Sequence, residues 1–361
     1  MSMIATTWTN RMAMLAGMAV CIGAALTLAP SPAQAAACSA STLTALRSAP
    51  SAGSDSVRID CDLTLSASDV IVRRLIFAGA QASGVTLDCK GATIGTRQTK
   101  TSYSDPTIAI RSLRDDKTGA WSVPRDITIR NCNIRGNIRL IGLGPNGQAK
   151  YVRLSSFNRD HTQNAQANAP SGITLRNLTI TGTGGIPLYF APGVTKSSIT
   201  GSRFVGKSNQ TAIYLDAESA GNTISNNRFS LKAGREMIAV DGSADNQIVA
   251  NTFDDPVDGG VYVYRNCGEG GTIRHQPPQY NVISDNRFDY KKGLARPAIW
   301  LNMRDAAGKL LCTRDEQHPF GSSLDPSDQA KYNVVQGNRF KGLWTPAIIN
   351  FDGTNDVRGN N

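Results

Sequence analysis

Short runs in which apolar and variable residues alternate return along this chain about every 25 residues, a spacing typical of solenoids and propellers. Ile213-Tyr214-Leu215-Asp216 and Ile238-Ala239-Val240-Asp241 open two consecutive units. Those units close through Asn222-Thr223-Ile224 to Phe229 and through Asn246-Gln247-Ile248 to Phe253. The same wording runs backwards to Ile186-Pro187-Leu188-Tyr189 with Ser197-Ser198-Ile199 to Phe204. It runs forwards to Val261-Tyr262-Val263-Tyr264, Ile299-Trp300-Leu301-Asn302 and Ile348-Ile349-Asn350-Phe351, with closings at Phe288 and Phe340. Strict alternation over four residues predicts a short strand with one buried face. No amphipathic helix of useful length separates these strands. Two or three short strands per unit, each stacked on its counterpart in the next, make an all-β parallel β-helix.

These repeats resemble the right-handed parallel β-helix superfamily, which includes pectate lyases, polygalacturonases, alginate lyases, mannuronan epimerases and phage tailspikes. The resemblance covers Val57 to the C-terminus. It implies the fold and leaves the chemistry open, because one fold hosts several reactions. Ser41 to Ser48 reads as a short helix capping the open start of the solenoid, where strand edges need cover. Gly142 to Pro170 is irregular and reads as a loop or ragged excursion. The Asn that precedes each closing Arg-Phe (Asn227, Asn286, Asn338) reads as a stacked turn residue tolerating positive φ.

The N-terminus follows another pattern. Arg11, an apolar run from Met12 to Leu28, two prolines and Ala33 to Ala37 read as a secretory signal peptide over 1–37. A single domain over 38–361 is then expected in a secreted or periplasmic, oxidising setting, without a membrane segment once the leader is removed. Of seven cysteines, Cys21 leaves with the leader. Ile59-Asp60-Cys61 and Leu87-Asp88-Cys89 look like equivalent positions on stacked strands, and a bridge is favoured between Cys267 and Cys312, on neighbouring insertions. The net charge of +10 suits a polyanionic partner. The basic residues are scattered and no recognition motif appears, so an acidic polysaccharide is a better partner than nucleic acid.

Read as columns, the aligned strands put candidate chemistry on one outer face, since side chains alternate across a strand. One column holds Tyr214, Tyr262 and Trp300. The next holds Tyr189, Asp216, Asp241, Tyr264 and Asn302, and the one beyond holds Glu218 and Arg304. Arg265 follows Tyr264. Stacked carboxylates repel unless a cation or a raised pKa relieves them. Asp216, Glu218 and Asp241 are therefore a candidate Ca²⁺ set, or an acid–base pair. Tyr189, Tyr214, Tyr262, Trp300, Asn302 and His275 are candidate contacts for a sugar.

Three functions follow. In the first, a lyase acts by β-elimination on a uronate-containing polysaccharide. Ca²⁺ would neutralise the uronate, Arg265 or Arg304 would serve as base, and Tyr264 or Tyr262 would donate a proton. The order of residue types resembles the calcium-and-arginine site of pectate lyases. The basic-proline motif of that family is absent, and Arg274-His275-Gln276-Pro277-Pro278 resembles it only loosely. In the second, two of the carboxylates hydrolyse a glycosidic bond, although the paired aspartates, Gly-His-Gly and Arg-x-Lys motifs of polygalacturonases are missing. In the third, the solenoid binds glycan without catalysis.

Overall fold

Alternation at each repeat gives one coil of the solenoid. In the computed structural model, described here for 35–361 apart from 52, 54, 100, 268, 292 and 308–313, the openings stack into one parallel sheet. The closings bend at a corner and divide between two others. Leu75, Ile108, Ile138, Leu188, Ile213, Ile238, Val261, Ile299 and Ile348 pair in sequence down the first sheet. Ile199, Ile224, Ile248, Ile283 and Val335 do so down the second. Phe204, Phe229, Phe253, Phe288 and Phe340 line the third. The first four of these rings stack at 4.5–4.7 Å between centroids and the last at 5.3 Å. These columns meet inside the coil as one continuous buried core, the favourable term in folding.

Corners are held by asparagine. Asn227 accepts a hydrogen bond from the Ser202 backbone (2.9 Å) and donates to the Ile199 carbonyl (3.0 Å). Asn251 receives the Asn227 backbone N–H (3.0 Å), Asn286 receives that of Asn251 (2.9 Å), and Asn338 that of Asn286 (3.1 Å). A second ladder climbs through Asn222, Asn246, Asn281, Asn333 and Asn355. The ladder was expected. The left-handed backbone falls one residue earlier, at Asn226, Ala250 and Asp285 (φ 56, 56 and 55°). The asparagines themselves turn inward, where their amides satisfy corner N–H and C=O groups that would otherwise be buried unpaired.

The cap forms as a helix, α1 (Ala40–Arg47), whose N-terminus is closed by the Ser39 side chain. Cys38–Cys61 and Cys89–Cys132 are disulfides. Cys61 and Cys89 are not equivalent positions: Leu63 pairs with Leu87, which sets Cys61 four places earlier than Cys89 in the register. Cys267 is disulfide-bonded, while its expected partner Cys312 lies outside the described residues. Most of the expected leader also lies outside them. The backbone of Ala36 to Cys38 is already laid against Asp62. Among the described residues no helix is long and apolar enough to cross a membrane.

Two differences bear on the site. The excursion at Gly142–Pro170 is not ragged: it holds α2 (Lys150–Ser156) and α3 (His161–Ala167). The rung at 186–190 is shifted by two residues from the expected alignment, with Leu188 rather than Ile186 opposite Ile213. A shift of two preserves the face, because the side-chain period is two. Tyr189 therefore stays outward but stacks on Tyr214 (5.5 Å) rather than lying beside Asp216 in its column.

Candidate active site

The outer face of the first sheet is roofed where the chain leaves it. The α2–α3 excursion, the insertion after Tyr264 and α4 (Met303–Ala307) gather over the strands that carry Asp216 and Asp241. A cavity of about 300 Å³ remains beneath. Its lining includes Tyr103, Tyr189, Tyr214, Asp216, Arg235, Asn266, Glu269, Arg274 and Arg304. A larger trough of about 780 Å³ lies along the third sheet, but its arginines are matched by surface carboxylates, Arg228 with Asp254 (2.8 Å) and Arg287 with Asp289 (2.7 Å). Its carboxylates and its arginines are all exposed or half-buried.

Asp216 and Asp241 follow paired residues of adjacent strands, Leu215 opposite Val240, so their Cα atoms are separated by about one strand spacing, roughly 4.8 Å. Each has a tyrosine. The Tyr189 hydroxyl donates to Asp216 Oδ2 and the Tyr214 hydroxyl to Asp241 Oδ2 (2.6 Å). Asp241 also accepts from the Asn266 backbone (2.7 Å) and from its side-chain amide. Asp216 is 2% exposed, with Arg274 Nη1 at 3.7 Å. Burial raises its carboxyl to about 6 against the pull of Arg274, and the charge of Asp241 adds to the rise. Burial also lifts the Tyr189 and Tyr214 hydroxyls well above their usual range, with Asp216 and Asp241 contributing. Both are therefore neutral donors.

The guanidinium groups complete the electrostatics. Burial works against the charge of Arg274, but Asp216 and Asp241 more than offset it and hold Arg274 protonated. Its Nε and Nη1 make no hydrogen bond within the protein. A Cβ on Gly147 would lie 2.2 Å from its Nη2, so any other residue there would push the guanidinium aside. Arg235 bonds Glu236 (2.8 Å) and the Tyr264 hydroxyl (2.8 Å). Arg304 lies over the Tyr264 ring at 5.3 Å.

Of the residues singled out in the sequence, Asp216, Tyr189, Tyr214 and Arg304 line the cavity, and Asp241 and Tyr264 adjoin it through the bonds above. Others are elsewhere. Glu218 has φ +63°; the chain has left the strand and alternation no longer applies. Its carboxylate accepts from the backbones of His275 (2.8 Å) and Gln276 (3.1 Å) and from Thr162 (2.5 Å). It pins the roof down. Glu218 does not join Asp216 and Asp241, and among the described residues no three His, Cys, Asp or Glu side chains gather as a metal site. Arg265 turns away to the carbonyls of Asp325 and Ser327 (2.7 Å each). His275 holds the Ser156 carbonyl (2.8 Å) and packs against His161 and Phe320.

The expected open aromatic strip is covered. Tyr262 and Tyr264 are buried, and Tyr262 meets Trp300 edge-on (5.7 Å). Asn302 bonds the backbone of Ala330 in both directions (2.9 and 3.2 Å). Arg274, Arg235, Asn266 and Tyr103 were not picked out as site residues. Asn266, two residues after Tyr264 as Glu218 is two after Asp216, belongs to the column of Glu218 and Arg304 and is legible there. The others come from segments without a period, so no spacing marked them.

Comparison with known proteins gives a fold and little else. Solved structures similar to this chain include an alginate lyase from Paenibacillus sp. str. FPU-7, 12% identical over 77% of this chain and 92% of that one, with a TM-score of 0.32. The A-module of the mannuronan C-5 epimerase AlgE6 from Azotobacter vinelandii is 10% identical over 84% of this chain and 88% of that one, with a TM-score of 0.26. No curated protein matches the chain. The model of the right-handed β-helix region matches 118–361, and the chain belongs to that family.

Proposed function

We propose that this protein is an exported carbohydrate-active enzyme that cleaves an acidic, uronate-containing polysaccharide by β-elimination. The observation that carries this reading is a cavity lined by Asp216 and by Arg235, Arg274 and Arg304, with Asp241 adjoining it through Tyr214. So many cations around a small site suit a substrate that carries its own carboxylate. In this reading Arg274 binds the uronate carboxylate and stabilises the charge that develops when the neighbouring carbon is deprotonated. Asp216, ionised above about pH 6, takes the C5 proton. The C5–H electron pair becomes the C4=C5 double bond as the C4–O bond breaks. Tyr214 gives its proton to the leaving oxygen and regains one from water, its transient negative charge offset by Arg235 and Arg274, and Asp216 passes the C5 proton to water before the next turnover. The disulfides suit export to an oxidising compartment.

One observation favours a second reading. Two carboxylates on adjacent strands, one with its pKa raised, are also what glycoside hydrolysis needs, with Asp216 as acid and Asp241 as its partner. Incubation with uronate-containing and neutral polysaccharides, following ultraviolet absorbance and reducing ends together, separates the two. Elimination raises both signals. Hydrolysis raises reducing ends alone. Retention of polymer with neither signal leaves only a binding protein.

A further inference from the structure

The charge of the molecule is not spread evenly over its sheets. The third-sheet strands from Arg203–Ser208 to Arg339–Lys341 carry seven basic and two acidic residues. The second-sheet strands of the same coils, from Ser198–Thr200 to Val334–Gln336, carry none of either. Cations scattered along the chain thus meet on one face. Arg203, Arg228, Arg287 and Arg339 share one register position, with Thr252 between the middle two. The phenylalanine after each arginine fills the core, so the arginines point outward and are exposed. Five strands about 4.8 Å apart make this column roughly 19 Å long. Lys207 and Lys232 pair beside it.

Like charges set directly opposite on neighbouring strands repel. Aspartates relieve part of the column, yet Arg228 and Arg287 stay more than half exposed in their ion pairs (55 and 58%). Among the described residues, Arg203, Lys207, Lys232 and Arg339 make no ion pair. The other carboxylates of the trough, Asp255 and Asp258, lie past the end of their strand, so the column keeps its excess of positive charge. The trough also adjoins the first-sheet cavity, since Arg235 lines both.

We infer that the outer face of the third sheet is a second, non-catalytic binding surface that holds a stretch of acidic polysaccharide beside the site. A row of cations at strand spacing suits a polymer that repeats its charge better than it suits a compact anion. The polysaccharide as occupant rests on the reading of the first-sheet cavity. Nucleic acid is the poorer fit: Phe204, Phe229, Phe253 and Phe288 are wholly buried, so the column offers no ring on which a base could stack.

Two variants of equal charge test it. Arg203→Gln, Lys207→Gln and Arg339→Gln together remove three cations of this face. Lys117→Gln, Lys196→Gln and Lys331→Gln remove the same charge outside the sheet. Both variants and the wild-type protein are measured for retention on immobilised alginate and polygalacturonate across a salt series, and for turnover of a short oligouronate. The third-sheet variant should bind polymer at least about tenfold more weakly at low salt, with a flatter salt dependence. The other variant should keep wild-type retention, and both should keep wild-type turnover. Equal loss in the two, or loss in neither, overturns the inference, because capture then belongs to the net charge or to the cavity alone. Polymer held through the third sheet by a protein that turns over no uronate leaves the surface standing and removes the reading of the cavity. Preferential retention of DNA, lost in the third-sheet variant, overturns the polysaccharide as occupant.

Discussion

Asp216 carries an almost wholly buried carboxylate at the cavity wall, and that sets two pH dependences. If it is the base, kcat/KM rises with pH around a midpoint near 6; if it is the acid of a hydrolase, activity falls above the same midpoint. A pH–rate profile of the wild-type protein decides between them. Stability follows from the same shift. The folded carboxyl binds its proton more tightly than the unfolded one, so its contribution is fully present below about pH 4 and is lost as pH rises through about 6. Relative to Asp216→Asn, the wild-type protein therefore loses ground between pH 4 and pH 8, by a Tm difference on the order of 1–2 °C per kcal/mol for a domain of this size. Thermal melts of the pair at both pH values check this. Asp216→Asn and Asp241→Asn each reduce turnover by at least about a hundredfold with the fold retained, the scale expected for loss of an acid–base group. Full activity in both removes the site assignment.

At the scale of elements, alternation made the strands and one wall of the site legible. Ile213, Tyr214, Leu215 and Asp216 declare their faces by position alone, and the pairing Ile213–Ile238–Val261–Ile299 follows from it. The roof was not legible. The helices α2 and α3 are seven residues each, too short for a periodic signal, and they are fixed by distant partners such as Glu218 rather than by their own sequence. Glu218 was misplaced for the same reason: a positive φ ends the alternation that the column argument assumed. Glu218→Gln should weaken the acceptor of the His275 and Gln276 amides, and hydrogen exchange at those two amides should accelerate while the Asn-ladder amides keep their protection. The ladder has its own test. Asn251→Ala removes the acceptor of the Asn227 N–H (3.0 Å) and the donor to the Ile224 carbonyl (2.8 Å). Buried partners left unpaired cost about 1–3 kcal/mol each, and a denaturation midpoint lowered accordingly is the expected result.

Across the whole molecule, the two disulfides described join coils near the N-terminal end, with sequence separations of 23 and 43 residues. In the chain-entropy picture each contributes about 3–4 kcal/mol by restricting the unfolded chain. Reduction should therefore lower the melting temperature and begin unfolding at the capped end, with exchange protection lost first around α1 and last near the phenylalanine column. The net charge of +10 acts over the same scale: capture of an acidic polymer should weaken steeply as salt rises, because screening removes long-range attraction first. From Asn222 to Asn355 the hydrogen bonds of the corner asparagines pass from one coil to the next regardless of what leaves the first-sheet strands between them. Coils with long departures and coils with none are thus joined by the same fastening. The scaffold and the roof are separable inheritances, and exchanging the insertion after Tyr264, which the Asn246–Asn281 bond spans, for another of equal length would re-specify what the protein accepts while leaving the trunk beneath it unaltered.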